Sequence, residues 1–187
     1  MKITLIRHAK TAGNLKKRYI GSTDEPILTD TAITKKYPKA EAVITSPLIR
    51  CKMTASLIYG DTYTVYQNLR ETDFGSFENK SYEDLKDDAD YIAWLSSHGT
   101  LPFPNGESQS EFKERTISEF YRSVSDNFGK DMAIIVHGGT IMAIMQELFG
   151  GDFYDYQTEN LGGYIIHINN GDNSYLTKNM LDYYEKI

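Results

Sequence analysis

Two short runs without charge, residues 3–6 and 132–136, stand out from an otherwise mixed pattern; both are rich in Ile and Val, and each is followed within two residues by a His. Uninterrupted apolar runs of this length suit strands buried on both faces of a parallel sheet. Residues 42–45 and 64–66 read as further strands. Residues 163–168 and 174–177 bracket Asn169-Asn170-Gly171-Asp172, a turn signal that predicts a closing hairpin. Helical patterns fill the gaps: 47–59, with Ser46 as N-cap and Pro47 at the first position, then 82–96, 111–128 and 140–149. In the third, Ser108 and Glu111 have capping-box spacing, and Phe112, Ile117, Phe120, Tyr121, Val124 and Phe128 approximate one face at a period near 3.6. This alternation predicts an α/β fold, a three-layer α/β/α sandwich with a mixed, mainly parallel sheet. No repeat, charge block or low-complexity linker divides the 187 residues, so one domain spanning 1–187 is expected. Segment 74–106 departs from the alternation and carries Trp94, Pro102, Pro104 and Gly106; it is the candidate lid.

Composition narrows the function. Lys plus Arg number 20 against 26 Asp plus Glu, and the formal charge of −6 disfavours general binding to nucleic acid or an anionic membrane. A single cysteine, Cys51, excludes an intramolecular disulfide framework and a multi-thiolate metal site, and suits a reducing, cytoplasmic setting. No secretory signal is read at the amino terminus, and no stretch approaches the roughly 18 apolar residues of a membrane span.

The chemistry gathers where strands should end. Arg7-His8 closes the first apolar run, and His137-Gly138-Gly139-Thr140 follows the second, where two glycines let backbone approach a ligand and the next helix offers free N–H groups to an anion. A lone His at a strand end is more often structural. Two of them, together with Arg7, Arg50 and Asn14, read as a pocket for a phosphate dianion, guanidinium forks matching its oxygens. Other residues are read more plainly. His98 lies in a polar loop and is expected to be solvated, His167 to pack in a late strand, Cys51 to be a small buried hydrophobe, and Tyr82, Tyr91 and Trp94 to pack segment 74–106.

The segment from Leu5 to Thr11, then Asn14, Arg18, Gly21, Asp24, Pro26, Leu28 and Thr29, resembles the opening signature of the histidine phosphatase superfamily, the phosphoglycerate mutase-like proteins. Ser46-Pro47-Leu48 with Arg50 and Thr54-Ala55, Leu69-Arg70-Glu71 with Phe74-Gly75, Gly106-Glu107-Ser108, and His137-Gly138-Gly139 follow in the family's order and cover most of the chain. The resemblance implies that His8 takes the phosphoryl group as a phosphohistidine, that Arg7, Arg50, His137 and Asn14 hold its oxygens with Gly21 and Gly138 as further substrate contacts, and that Glu71 donates the proton, ahead of its rivals Glu78 and Glu107. It implies metal-independent hydrolysis of a small phosphorylated metabolite with no cofactor, with greatest likeness to the α-ribazole phosphatase-like branch. Mutase-type phosphoryl transfer and a non-catalytic phosphate-binding module are the alternatives. Hydrolysis is preferred because only residues 181–187 are expected to follow the last strand. The chain departs from the family at Ala9 and Lys10, where Ala9 is expected near the phosphate and Lys10 at the mouth, and at Ala32, after which the short connection predicts a stunted first helix.

Overall fold

The structure is a computed structural model that describes residues 1–169 and 175–187. Six strands, β1 (Lys2–Arg7), β2 (Ala42–Thr45), β3 (Thr64–Val65), β4 (Met132–Val136), β5 (Gly163–Ile168) and β6 (Leu181–Lys186), form one sheet in the order β3-β2-β4-β1-β5-β6. The first four run parallel; β5 is antiparallel to β1, and β6 to β5. The sheet is mixed and mainly parallel, as the pattern implies.

Period-two alternation divides the central strands between two layers. Ile3, Leu5, Met132, Ile134 and Val136 pack on one side with Phe120 and Val124 of α5 (Gln109–Asp126) and Ile141, Ile144 and Met145 of α6 (Gly138–Phe149). Ile6, Ala133 and Ile135 face the other side, against Cys51 and Ala55 of α2 (Ile49–Tyr59). Each fully buried aliphatic side chain contributes on the order of 1.5–3 kcal/mol, so these two layers fix the sheet. They also fix the register. Ile6 pairs with Ile135 and Arg7 with Val136, so His8 and His137 leave adjacent parallel strands side by side.

Helix boundaries correct several expectations. α5 begins after Ser108, whose side chain accepts from Glu111 N in the expected capping box. α2 begins two residues later than Pro47, with Leu48 at its N-cap and no side-chain cap; Asp24 Oδ1 accepts from Ile49 N at 2.6 Å instead, because Ser46 Oγ is turned to His137. The pattern over 82–96 breaks into α3 (Tyr82–Leu85) and α4 (Ala89–Ser96), each started by its own cap, Ser81 and Asp88. One turn, α1 (Ala12–Leu15), follows β1, and no helix occupies the connection from there to β2. The stunting expected after Ala32 is therefore complete.

The closing hairpin pairs β5 with β6, not with the described part, 175–177, of the expected strand 174–177; residues 170–174 of the expected turn and strand lie outside the described residues. β6 is an edge strand whose residues are mostly exposed, so it lacks the apolar run that marks a buried strand. Residues 181–187 thus complete the sheet instead of trailing it. Between β3 and α5, Phe77, Leu85, Tyr91 and Phe103 build a small separate core, with Tyr19, Phe74 and Trp94 packed against it. Tyr82, expected within that packing, is 56% exposed and meets only the edge of Tyr91.

Candidate active site

A cavity of about 580 Å³ opens where β1 and β4 end, lined by Arg7, Asn14, Glu71, Gly138 and Gly139 at its inner end. His8 follows Arg7 at the end of β1 and is only 4% exposed, outside the residues that line the cavity. Its Nδ1 donates to the carbonyl of its neighbour Ala9 at 2.7 Å, a tautomer that leaves the Nε2 lone pair free. Burial, then the charge of Arg50, and lastly that of Arg7 push this imidazole well below its ordinary value, against the Ala9 hydrogen bond, which favours the proton. The ring is neutral at physiological pH. A neutral nitrogen lone pair is what a nucleophile needs.

His137 meets His8 edge to face, with ring centroids 5.3 Å apart. Arg50 Nε, which can only donate, reaches His137 Nδ1 at 3.3 Å, so the proton sits on Nε2 and is given to Ser46 Oγ at 2.6 Å. His137 too is held below the usual imidazole range, first by burial, then by Arg50. Cys51 Sγ packs 3.5 Å from the same ring, and burial raises its thiol to about 12, so it is the inert hydrophobe expected.

The two guanidinium groups behave differently. Arg7 lines the cavity; its Nη1 donates to Thr158 O at 2.7 Å, and its Nε is buried without a hydrogen-bond partner among the described residues. Arg50 is fully buried behind the two imidazoles, where Nη1 and Nη2 donate to the carbonyls of Thr23 and Gly21. In this state it braces the 20–23 loop and His137. Gly21 shares that buried position: a Cβ there would lie 1.8 Å from Thr72 O, and its N–H donates to Glu78 Oε1 at 3.0 Å. The structure thus gathers His8, His137, Arg7 and Arg50; of the expected site residues Arg7, Asn14, Glu71 and Gly138 line the cavity, whereas His8, His137, Arg50 and Gly21 lie outside its lining.

Glu71 reaches the inner end from the loop after β3 and is 8% exposed. Its Oε1 accepts from Thr72 N at 3.0 Å and its Oε2 from Gly139 N at 3.1 Å, at the start of α6, which has no side-chain cap. The rival carboxylates are engaged elsewhere. Glu78 accepts from the N–H groups of Gly21, Ser22 and Phe74 and from the Thr23 hydroxyl. Glu107 accepts from Arg115 Nε and Nη2 and from Asp73 N; burial works to raise it, but these bonds hold it below the usual carboxylate value.

Asn14 lines the cavity, with its Oδ1 accepting from Thr11 N and from Asn160 Nδ2, each at 3.2 Å. Asn160 also donates to the His8 carbonyl at 2.9 Å. Sequence reasoning missed Asn160, which precedes β5 in a turn with no periodicity; its signal is an Asn just before the strand that flanks β1. Ala9 is fully buried beside His8, with its N–H on Thr54 Oγ1, whereas Lys10 is exposed outside the cavity lining and not at the mouth where it was expected. The cations at the mouth are Lys17 and Arg18. His98 is exposed as expected, and His167 packs in β5 as expected, stacked on Tyr183, while also pairing with Glu185 at 2.6 Å. Among the described residues no group of three or more His, Cys, Asp or Glu could hold a metal, and no helix is long and apolar enough to cross a membrane.

Comparison with known proteins agrees with this geometry. Residues 3–180 match the model of the histidine phosphatase superfamily, branch 1. A putative phosphoserine phosphatase 2 of Hydrogenobacter thermophilus is 30% identical over an alignment of 186 positions, covering 89% of each chain. A putative α-ribazole-5'-P phosphatase from Escherichia coli superposes with a TM-score of 0.78 at 21% identity, over 97% of this chain and 94% of that one, which is a likeness of fold. A phosphoserine phosphatase from Entamoeba histolytica, solved with 3-phosphoglyceric acid, gives 0.74 at 24%, over 88% and 89%. Buried paired imidazoles, a poised carboxyl and a match over nearly the whole length lead to one assignment: the chain belongs to the histidine phosphatase superfamily and is a phosphatase of that family.

Proposed function

We propose that this protein hydrolyses phosphomonoesters of small metabolites through a phosphohistidine on His8, without a metal ion. The observation that carries the reading is the His8 tautomer, with Nδ1 committed to the Ala9 carbonyl and a neutral Nε2 beside the cationic Arg7. In the first half-reaction Nε2 attacks phosphorus, the P–O bond to the alcohol breaks, and Glu71 gives a proton to the leaving oxygen. In the second, Glu71 takes a proton from water, the resulting hydroxide attacks phosphorus, the P–N bond breaks and its electron pair returns to His8.

Charge on the equatorial oxygens is met by Arg7, by the Asn14 amide, and by the amino end of α6 at Gly138, beside the Gly139 N–H that Glu71 holds. These groups supply the positive potential that a metal supplies elsewhere. Arg50 and His137 assist from behind: the charge of Arg50 and the packing of His137 keep His8 neutral, and either can turn to an oxygen by giving up the bonds described above. Segment 74–106 supplies one wall of the cavity and acts as its lid.

Hydrolysis of p-nitrophenyl phosphate with a chelator present tests this. The expected result is turnover that His8→Ala abolishes, with radiolabelled phosphate trapped on the wild-type protein by rapid alkaline quench, since a phosphohistidine is stable in base and lost in acid. Undiminished turnover by His8→Ala, or complete loss on chelation, overturns the reading. Mutase-type transfer would instead show phosphate returned to a second hydroxyl in preference to water.

A further inference from the structure

We propose that the outer part of the cavity is a leaving-group site for an alcohol that joins a flat aromatic body to an anionic terminus. The proposal rests on the hydrolase reading above and adds the class of substrate. Beyond Arg7, Asn14 and Glu71 the lining changes character. Phe74, Trp94 and Phe103 form one wall from segment 74–106, and Phe112 and Phe153 face the same space. Trp94 and Phe103 have ring centroids 5.0 Å apart, and Phe74 meets Phe103 edge-on at the same distance, so the wall is one continuous packed aromatic surface. Such a surface favours a planar apolar group, which gains both burial and ring contact.

Size agrees. A cavity of about 580 Å³ is in the range that encloses drug-sized ligands and is far larger than a three-carbon hydroxy acid needs.

The anionic terminus follows from charge. The chain carries a formal −6, yet among the described residues the only carboxylate lining this cavity is Glu71, at the reacting end. At the mouth stand Lys17 and Arg18. Arg18 acts on Asp84 through space, whereas Lys17 makes no ion pair among the described residues. Its φ of 52° belongs to the turn that ends α1, where the Lys17 N–H donates to Asn14 O and the Arg18 N–H to Gly13 O. Lys17 follows α1, which carries Asn14, so the phosphate contact and the outer cations share one short stretch of chain. An acid about one aromatic ring from the phosphate would reach them.

Four monoesters with similarly basic alkoxide leaving groups separate the two features: ethyl phosphate, 3-phosphonooxypropanoate, 2-phenylethyl phosphate and 2-(4-carboxyphenyl)ethyl phosphate. Ring and carboxylate should each raise kcat/KM by about tenfold at low salt, the carboxylate's share shrinking as salt is added. In the Lys17→Gln/Arg18→Gln double variant the ratio between the two phenyl esters should fall towards one. Equal kcat/KM for all four overturns the inference and leaves the hydrolase reading intact. A ratio that survives in the variant overturns the part given to Lys17 and Arg18. Failure to turn over any ester, with p-nitrophenyl phosphate inert as well, defeats the hydrolase reading itself.

Discussion

The N–H of Gly139 donates to Glu71 Oε2 at 3.1 Å, and a Cβ on that glycine would stand 2.4 Å from Oε1 of the same carboxyl group. Glycine is required there by the approach of Glu71, since the residue lies in the first turn of α6. Alanine would favour the helix by about 1 kcal/mol, and the atom that must yield is the tip of a flexible side chain. Gly139→Ala should therefore keep its melting temperature within about 3 °C of the wild type, while kcat/KM on an alkyl phosphate falls on the order of 10–100-fold. Calorimetry beside steady-state kinetics checks both halves. Full activity in this variant would mean that the Glu71 position is immaterial.

Glu71→Gln separates proton donation from mere polarity. A Gln side chain keeps the shape but has no acidic proton. Turnover of 2-phenylethyl phosphate should fall by at least about 100-fold, whereas p-nitrophenolate leaves without help and its ester should lose less than about tenfold. Equal losses on the two esters would remove the assigned role.

Asn160 bridges the His8 carbonyl and Asn14 Oδ1, and with Thr11 N it fills the oxygen side of the Asn14 amide, leaving the NH2 face for the cavity. Asn160→Asp sets a carboxylate against two acceptors and should weaken inhibition by inorganic phosphate by about tenfold or more. Asn160→Ala made in an Asn14→Ala background should add less than about twofold if Asn160 acts through Asn14. Fully additive losses would show that the two amides work independently.

What the sequence revealed and what it withheld follow one physical distinction. Buried strands on both faces, such as 132–136, write themselves as unbroken apolar runs, and their register then brings His8 and His137 together. Local capping is equally legible, as at Ser108 and Glu111. Edge strand β6 is exposed and leaves no such trace. Long-range polar contacts leave even less: that Arg50 spends its donors on the carbonyls of Gly21 and Thr23, that Asp24 starts α2 in place of Ser46, and that Asn160 holds Asn14 depend on loops meeting across the fold. The same holds for Lys10 and Lys17, where a one-turn helix decides which lysine faces the cavity.

The buried imidazoles also tie stability to pH. His8 and His137 are 4% and 0% exposed, and both are held well below the ordinary value by burial first and by Arg50 next. Below pH about 6.5 the unfolded chain binds protons on these residues that the folded chain refuses, so the unfolded state carries the larger number of bound protons. Stability should be complete above that pH and decline as the pH falls below it, by at most about 1.4 kcal/mol per pH unit for each histidine. Urea unfolding at intervals between pH 7 and pH 5 measures the slope. Removing His137 costs Arg50 and Ser46 a partner, so His137→Asn should be less stable throughout, yet its slope over this window should be shallower than the wild type's. The His8→Asn/His137→Asn variant should be flatter still. An unchanged slope in the double variant would mean that other groups carry the dependence and that these rings accept protons in the folded protein.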